Sequence, residues 1–263
     1  MKIAVAGKGG TGKSFIAACL ARQFAMYARR NGLGGQVYAV DADPAGGLGA
    51  ALGISQSDIS GIRPIIDMRE FIDTGDDDGA LYLSDPGAVN VDGQFKTIAE
   101  GVNFLRMAGV KRAGAGCYCH EYNFLQALLH SILLGERDTL ILDMGAGVEH
   151  LARGTIRGAD VLLIVSEATR ACIEVTKTIR TLGAELGIRH IYVVANNIRS
   201  EKEELLIRAS FRRGELIGLV RMSEAVADMA IGVGAGRGQS TLKPGTDIEE
   251  LFFNIQTITM SGM

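Results

Sequence analysis

Short apolar runs recur along the chain, separated by longer stretches in which apolar and polar residues alternate with helical spacing. The runs are KIAVA at 2–6, QVYAV at 36–40, VNFLRM at 102–107, DTLILDM at 138–144, DVLLIV at 160–165, HIYVVA at 190–195 and LIGLV at 216–220. Each is too short for a helix and is apolar at consecutive positions, the pattern of a strand buried on both faces. Helical patterns lie between most of them, for example SFIAACLARQFAMYARR at 14–30 and ATRACIEVTKTIRTLGAEL at 168–186. Strands alternating with helices predict an α/β fold, a mostly parallel, doubly wound sheet flanked by helices and joined by right-handed crossovers. The stretch 55–96 is the least regular, and DTGDDDGA at 73–80 reads as a solvated acidic loop. TDIEELFFNIQTIT at 246–259 reads as a C-terminal helical segment. No repeat and no linker interrupts the pattern, so residues 1–263 are expected to form one domain.

Ligands of such sheets gather at the carboxyl ends of the strands, and the residues with chemical potential fall there. GKGGTGKS at 7–14 follows the first apolar run and opens the first long helix. It matches the G-x-x-x-x-G-K-[ST] phosphate loop in the strand–helix context that motif requires. Glycines let backbone N–H groups face phosphate oxygens, and the helix N-terminus adds its positive end. Lys13 would neutralise the β- and γ-phosphates and Ser14 would hold Mg²⁺; Gly9, Gly10, Thr11, Gly12 and the backbone of Phe15 complete the expected cradle. The single domain is therefore expected to bind a nucleotide, ATP with Mg²⁺.

VDADP at 40–44 ends the second run and puts Asp41 and Asp43 on one side of an extended segment. Near a γ-phosphate, one carboxylate can orient the attacking water and the other can join the Mg²⁺ shell; a polar strand end or helix cap is the competing use. LILDMGAGVEH at 140–150 places Asp143 at the end of the central run, the position that binds Mg²⁺ in phosphate-loop proteins. Gly145 and Gly147 would let the following loop move between nucleotide states. VVANNI at 193–198 ends another run in Asn196 and Asn197. An Asn amide offers adenine both a donor and an acceptor; an ordinary turn also uses Asn. The loop from Arg221 to Glu224 is expected to close over the base.

Charge narrows the partners. The net charge is −3, from 27 basic and 30 acidic residues, with no long basic block. Nucleic-acid binding needs clustered Lys and Arg, so no nucleic-acid partner is expected. No apolar run reaches membrane-spanning length, and MKIAVAGKGG carries no cleavable secretory pattern, which predicts a cytoplasmic protein without a membrane partner. Four unevenly spaced cysteines make no disulfide framework.

Two of those cysteines, Cys117 and Cys119, stand one residue apart in CYCHE. They cannot close a comfortable disulfide with each other, and two thiolates are too few for a closed metal site, which wants about four ligands. Two copies of the chain facing across an axis would supply the number, for Ni²⁺ or Zn²⁺. Cys19 and Cys172 fall within helical patterns and read as core residues. His120 reads as a surface residue that could add a nitrogen ligand.

The phosphate loop contains a second lysine, Lys8. The string x-K-G-G-x-G-K-[ST] resembles the deviant Walker A loop of the family that includes the nitrogenase iron protein, the Min-system and chromosome-partition ATPases and the arsenite-pump ATPases. That resemblance implies an ATP-dependent homodimer in which Lys8 reaches the partner subunit's phosphates. Hydrolysis would be slow, because the site is incomplete until two subunits meet. It also implies that Asp43 positions the attacking water and sits near Mg²⁺, with Asp41 supporting it. Asn196 would read the base, with Asn197 one register away. Together with GAGCYCHE and LDMGAGVEHLARGT at 142–155, the chain from residue 1 to about 232 resembles the CooC-type nickel-maturation ATPases of carbon monoxide dehydrogenase. The resemblance implies a metal held by Cys117 and Cys119 of both subunits, with carbon monoxide dehydrogenase as client. The sequence departs from that family in carrying His120, Gly145 and Phe15. Two other readings remain open. A Min-type positioning ATPase needs a basic amphipathic tail, yet no Lys or Arg follows Lys243, and a partition ATPase needs a basic DNA-facing surface. An iron–sulfur reductase like the nitrogenase iron protein draws its cysteines from two separated segments.

Overall fold

The structure is a computed structural model that describes residues 1–43, 46–65, 72–74, 81–83, 96–107, 137–148, 151, 156–222 and 245–261. All seven apolar runs are strands: β1 (Lys2–Gly7), β2 (Val37–Ala42), β6 (Val102–Arg106), β7 (Thr139–Met144), β8 (Val161–Ser166), β9 (His190–Ile198) and β10 (Leu216–Arg221). With β5 (Lys96–Ala99) they form an eight-stranded sheet of order β10-β9-β8-β1-β7-β2-β6-β5. Every pairing is parallel except β5 with β6.

Alternate residues of the central strands feed two separate cores, which is why the runs are apolar throughout. Ile3, Val5, Ile141 and Leu163 face one side, where they meet helix α1 (Lys13–Arg30) through Ile16, Ala17, Leu20 and Phe24. Ala4, Ala6, Leu140, Leu142, Leu162 and Ile164 face the other, where Ile179 of helix α4 (Arg170–Glu185) packs. The helices that follow the neighbouring strands β1 and β8 thus cover opposite faces. The crevice at the carboxyl ends of two such strands is where this class of sheet binds ligands.

Three features depart from the sequence expectation. The stretch 55–96, the least regular by sequence, follows α2 (Leu48–Ala51) and holds α3 (Gln56–Gly61) and an antiparallel ribbon of β3 (Ile72–Thr74) with β4 (Leu81–Leu83), and β5 begins at its last residue, Lys96. Asp73 and Thr74, expected in a solvated loop, are strand residues paired with Tyr82 and Leu81. The β5–β6 hairpin turns on Glu100 and Gly101, whose φ angles of 52° and 84° are those of a tight hairpin turn.

Helix α5 (Glu201–Ser210) follows β9, and helix α6 (Thr246–Ser261) follows the edge strand β10. Helix α6 buries Ile248, Leu251, Phe252 and Ile255 against the α1 side. The Phe252 ring meets Phe24 edge-on, with centroids 4.9 Å apart, and Tyr27 at 5.4 Å. Its neighbour Phe253 is 56% exposed. Asn254 Nδ2 donates to the Ile217 carbonyl of β10 at 2.8 Å, so the helix occupies a backbone acceptor of the edge strand. Among the described residues, no helix is long and apolar enough to cross a membrane.

This packing separates two adjacent phenylalanines. Phe252→Ala is expected to cost about 3–5 kcal/mol, as for a large aromatic removed from a filled core. Phe253→Ala is expected to cost less than about 1 kcal/mol. Equilibrium urea denaturation of the two variants measures both, and equal losses would show that the helix does not dock through Phe252.

Candidate functional site

The phosphate loop lies where β1 gives way to α1. Gly12 precedes the helix in the left-handed region (φ 86°), and no side chain caps the first turn of α1. The orphan N–H groups there are open to an anion. The loop is drawn together by the Lys8 carbonyl, which accepts from Thr11 Oγ1 at 2.9 Å, from Thr11 N at 3.4 Å and from Lys13 Nζ at 3.4 Å. The two lysines are in different surroundings: Lys13 is 7% exposed, folded over its own loop, whereas Lys8 is solvent-exposed. Gly9 and Gly10 are exposed, Thr11 is buried and Ser14 is half-buried. Phe15 packs its half-buried ring against the α1-side core, leaving its backbone in the first helical turn.

Two carboxylates stand at the carboxyl ends of adjacent strands. Asp41 of β2 and Asp143 of β7 are register partners, and Val5 of β1 pairs with Asp143 on its other side. Asp41 is buried, yet its oxygens are supplied by the chain that follows: Gly47 N and Leu48 N donate to Oδ2 at 3.1 Å each, and Asp43 N donates to Oδ1 at 3.3 Å. Burial raises its pKa to about 6; the three backbone N–H groups work against that rise, and the Asp43 charge adds to it. Asp41 therefore staples the turn that follows Asp43.

Asp143 is 1% exposed, and neither carboxylate oxygen has a partner at hydrogen-bond geometry. Burial raises its pKa to about 7; the neighbouring Ser14 hydroxyl and the Lys13 charge lower it, while Asp41 and Asp43 raise it. The Ser14 hydroxyl is thus close enough to stabilise the carboxylate without forming a well-aligned hydrogen bond. Gly47 reaches the same spot from the other side: a Cβ there would lie 2.8 Å from Ser14 Oγ. Asp43 is half-buried at the end of β2, and its carbonyl accepts from Gly46 N at 2.9 Å. A buried, unpartnered carboxylate beside a hydroxyl and a second acidic side chain is a donor set that suits Mg²⁺, which takes oxygen ligands and keeps several waters. Past β7, Gly147 N donates to the Gly7 carbonyl at 3.4 Å, joining the glycine-bearing loop to the end of β1.

The base-reading candidates have partners within the chain. Asn196 is buried on β9, and its Nδ2 donates to the Thr11 carbonyl at 2.8 Å. Its amide donor is therefore engaged by the phosphate loop, while its buried Oδ1 has no partner. No local motif announces a bond between residues 185 positions apart. Asn197 adopts φ 64° and donates from Nδ2 to Glu167 Oε1 at 2.9 Å. Arg221 closes β10, but its guanidinium is held by Glu204 of α5 at 3.0 Å and Asp247 of α6 at 3.3 Å. Glu204 also takes Arg208 at 2.8 Å; the Arg208 hydrogen bond is the main cause that lowers its pKa, burial opposes it, and the Arg221 hydrogen bond lowers it further. The acidic residues that hold Arg221 were not anticipated, because their partners come from three separate elements.

Cys117, Cys119, His120 and Glu224 lie outside the described residues. Among the described residues, no group of three or more His, Cys, Asp or Glu side chains is arranged to hold a metal ion. Cys19 and Cys172 are buried, and burial pushes the Cys19 thiol up to about 12.

Comparison with known proteins agrees with this geometry. Residues 2–231 match the CobQ/CobB/MinD/ParA nucleotide binding domain. The chain is 34% identical over 236 residues to the carbon monoxide dehydrogenase accessory protein CooC of Rhodospirillum rubrum, covering 88% of each chain. It is 35% identical over 211 residues to an uncharacterized ATP-binding protein of Methanocaldococcus jannaschii, covering 78% of each. The fold is similar to that of the cell division ATPase MinD of Pyrococcus furiosus, with a TM-score of 0.65 at 19% identity over 98% of both chains. The chain belongs to the CobQ/CobB/MinD/ParA nucleotide-binding family and is an ATPase of its MinD/ParA, deviant Walker A type.

Proposed function

We propose that this ATPase is a metallochaperone that works as a homodimer and assists nickel insertion into carbon monoxide dehydrogenase. The observation that carries the reading is the 34% identity, over 88% of both chains, with an accessory protein of that enzyme. The C-x-C pair at Cys117 and Cys119, a soft-ligand pair without another evident use, supports it.

In this reading, the N–H groups from Gly9 to Phe15 cradle the β- and γ-phosphates of ATP, and the buried Lys13 ammonium neutralises them. Mg²⁺ would be held by Ser14, Asp143 and Asp43, and when bound it supplies charge neutralisation between the phosphates. Asp43 orients a water for attack on the γ-phosphorus, with departure of ADP through the β–γ bridging oxygen. Asp41 keeps Asp43 in place through the backbone of the intervening turn. Asn196 offers its unpartnered Oδ1 to the adenine amino group, and Arg221 flanks the base. Lys8, exposed on its own subunit, crosses the dimer axis to the partner's phosphates, so hydrolysis waits on dimerisation. Nickel is cargo, held by Cys117 and Cys119 of both subunits, and hydrolysis loosens that shared site for delivery.

Replacing either Lys13 or Asp43 by Ala is expected to reduce steady-state ADP release at least about a hundredfold, the scale of losing one well-placed charged group. Lys8→Ala is expected to bind ATP nearly as wild type and yet fail to hydrolyse it or to dimerise with it. A Lys8→Ala protein that dimerises and turns over normally would remove the trans role.

Equilibrium dialysis with Ni²⁺ is expected to give one ion per dimer, and a Cys117→Ser, Cys119→Ser double variant is expected to give none. One ion per monomer, or unchanged binding in the double variant, refutes the shared site. Zn²⁺ is expected to compete, since thiolates discriminate weakly between the two metals.

The Asp143 carboxyl carries its own pH dependence. Its pKa of about 7 lies far above the value of about 3.9 in an unfolded chain. The native protein therefore holds the extra proton, and this group favours the ligand-free fold fully at low pH, an advantage lost as pH rises through about 7. At pH 8, Asp143→Asn is expected to stabilise the ligand-free protein by on the order of 2 kcal/mol and to abolish Mg²⁺-dependent ATP binding. Thermal unfolding at pH 6 and pH 8 with and without Mg-ATP reads both effects. A variant less stable than wild type at pH 8 would show that Asp143 is not an uncompensated carboxylate.

A further inference from the structure

We propose that Asn196 is a positioning residue for the phosphate loop, distinct from any contact it makes with the base. The proposal rests on the nucleotide site described above and concerns how the loop is oriented toward phosphate. Asn196 Nδ2 donates to the Thr11 carbonyl at 2.8 Å in a buried contact that spans 185 residues. The approach is possible because residue 12 is glycine: a Cβ there would stand 2.3 Å from Asn196 Nδ2. Asn196 is 6% exposed, so water cannot readily replace the bond.

The consequence follows from peptide geometry. The Thr11–Gly12 peptide is planar and trans, so its C=O and N–H point in opposite directions. Fastening the Thr11 oxygen to Asn196 turns the Gly12 N–H away from β9, toward the side of the loop where phosphate binds. The neighbouring Gly9 and Gly10 are exposed, and nothing would lie within 4 Å of a Cβ on Gly10. Thr11 and Gly12 are thus the anchored part of an otherwise open loop, tied to Lys8 by the threonine hydroxyl and to β9 by Asn196. One side chain couples the edge of the base site to the orientation of a phosphate-binding N–H.

Inorganic tripolyphosphate, which has no base, separates this role from base reading. Asn196→Ala is expected to weaken tripolyphosphate binding about tenfold by calorimetry. The isosteric Asn196→Asp, which replaces the donor with a negative oxygen, is expected to weaken it further. In the ligand-free protein, amide hydrogen exchange across residues 8–16 is expected to speed up about tenfold in both variants, while exchange at Val193–Ala195 stays as in wild type. Unchanged tripolyphosphate binding with lowered ATP affinity overturns the proposal and leaves Asn196 as a base contact only. Loss of protection at Val193–Ala195 in both variants also overturns it, since Asn196 would then merely support the strand. Failure of the wild-type protein to bind tripolyphosphate overturns the phosphate site itself, and this proposal with it.

Discussion

Two carboxylates held side by side in the dry end of a parallel sheet constrain everything around them. Asp41 and Asp143 are register partners on neighbouring strands, and both are almost wholly shielded from water. Like charges in such a place raise one another's pKa and are costly to keep ionised. The chain answers the two differently. Asp41 is surrounded by backbone N–H groups of the turn after β2, which forces that turn to bend tightly back and brings Gly47 against Ser14. Asp143 receives no such partners. Its two unpartnered oxygens are what make the end of β7 suited to a cation.

The phosphate loop is the complementary half of this arrangement. It gathers positive partial charge from the first turn of α1 and positive charge from Lys13, opposite the acidic strand ends. The Lys13 ammonium lies 3.4 Å from the Lys8 carbonyl. Opposed charges of this kind, fixed on regular elements, need little rearrangement when a ligand is bound. Lys8 stands apart from this balance. It contributes its carbonyl to the loop while its side chain stays exposed, which is compatible with work on a second molecule.

The core of the fold was legible because its signal is repeated. Strands buried on both faces must be apolar at every position, and seven such runs with helical patterns between them leave few alternatives. The phosphate loop and Asp143 were legible for a related reason, since each sits at the boundary of an unmistakable strand. What escaped was short or distant. β5 is four residues long and its turn uses Glu100 at positive φ, where Asn or Asp would have given the usual hairpin signal. The β3–β4 ribbon is formed by three-residue strands on the border of an acidic stretch. Asn196 was legible as a polar strand end, but its bond to Thr11 depends on how β9 and the loop meet in space. Arg221 was expected near the base; its ion pairs with Glu204 and Asp247 join residues that no periodicity relates.

Helix α6 has one more consequence, for the behaviour of many molecules together. Among the described residues strand β10 ends the sheet, and an exposed strand edge is a template for pairing with other chains. Helix α6 packs against this strand from the α1 face, buries Phe252 and engages the Ile217 carbonyl through Asn254. Detachment of this single element would uncover the Phe252 ring and free the Ile217 carbonyl beside the same strand. A change that loosened this helix would leave β10 less covered and with one more unpaired acceptor, the features that favour strand pairing between copies of a chain.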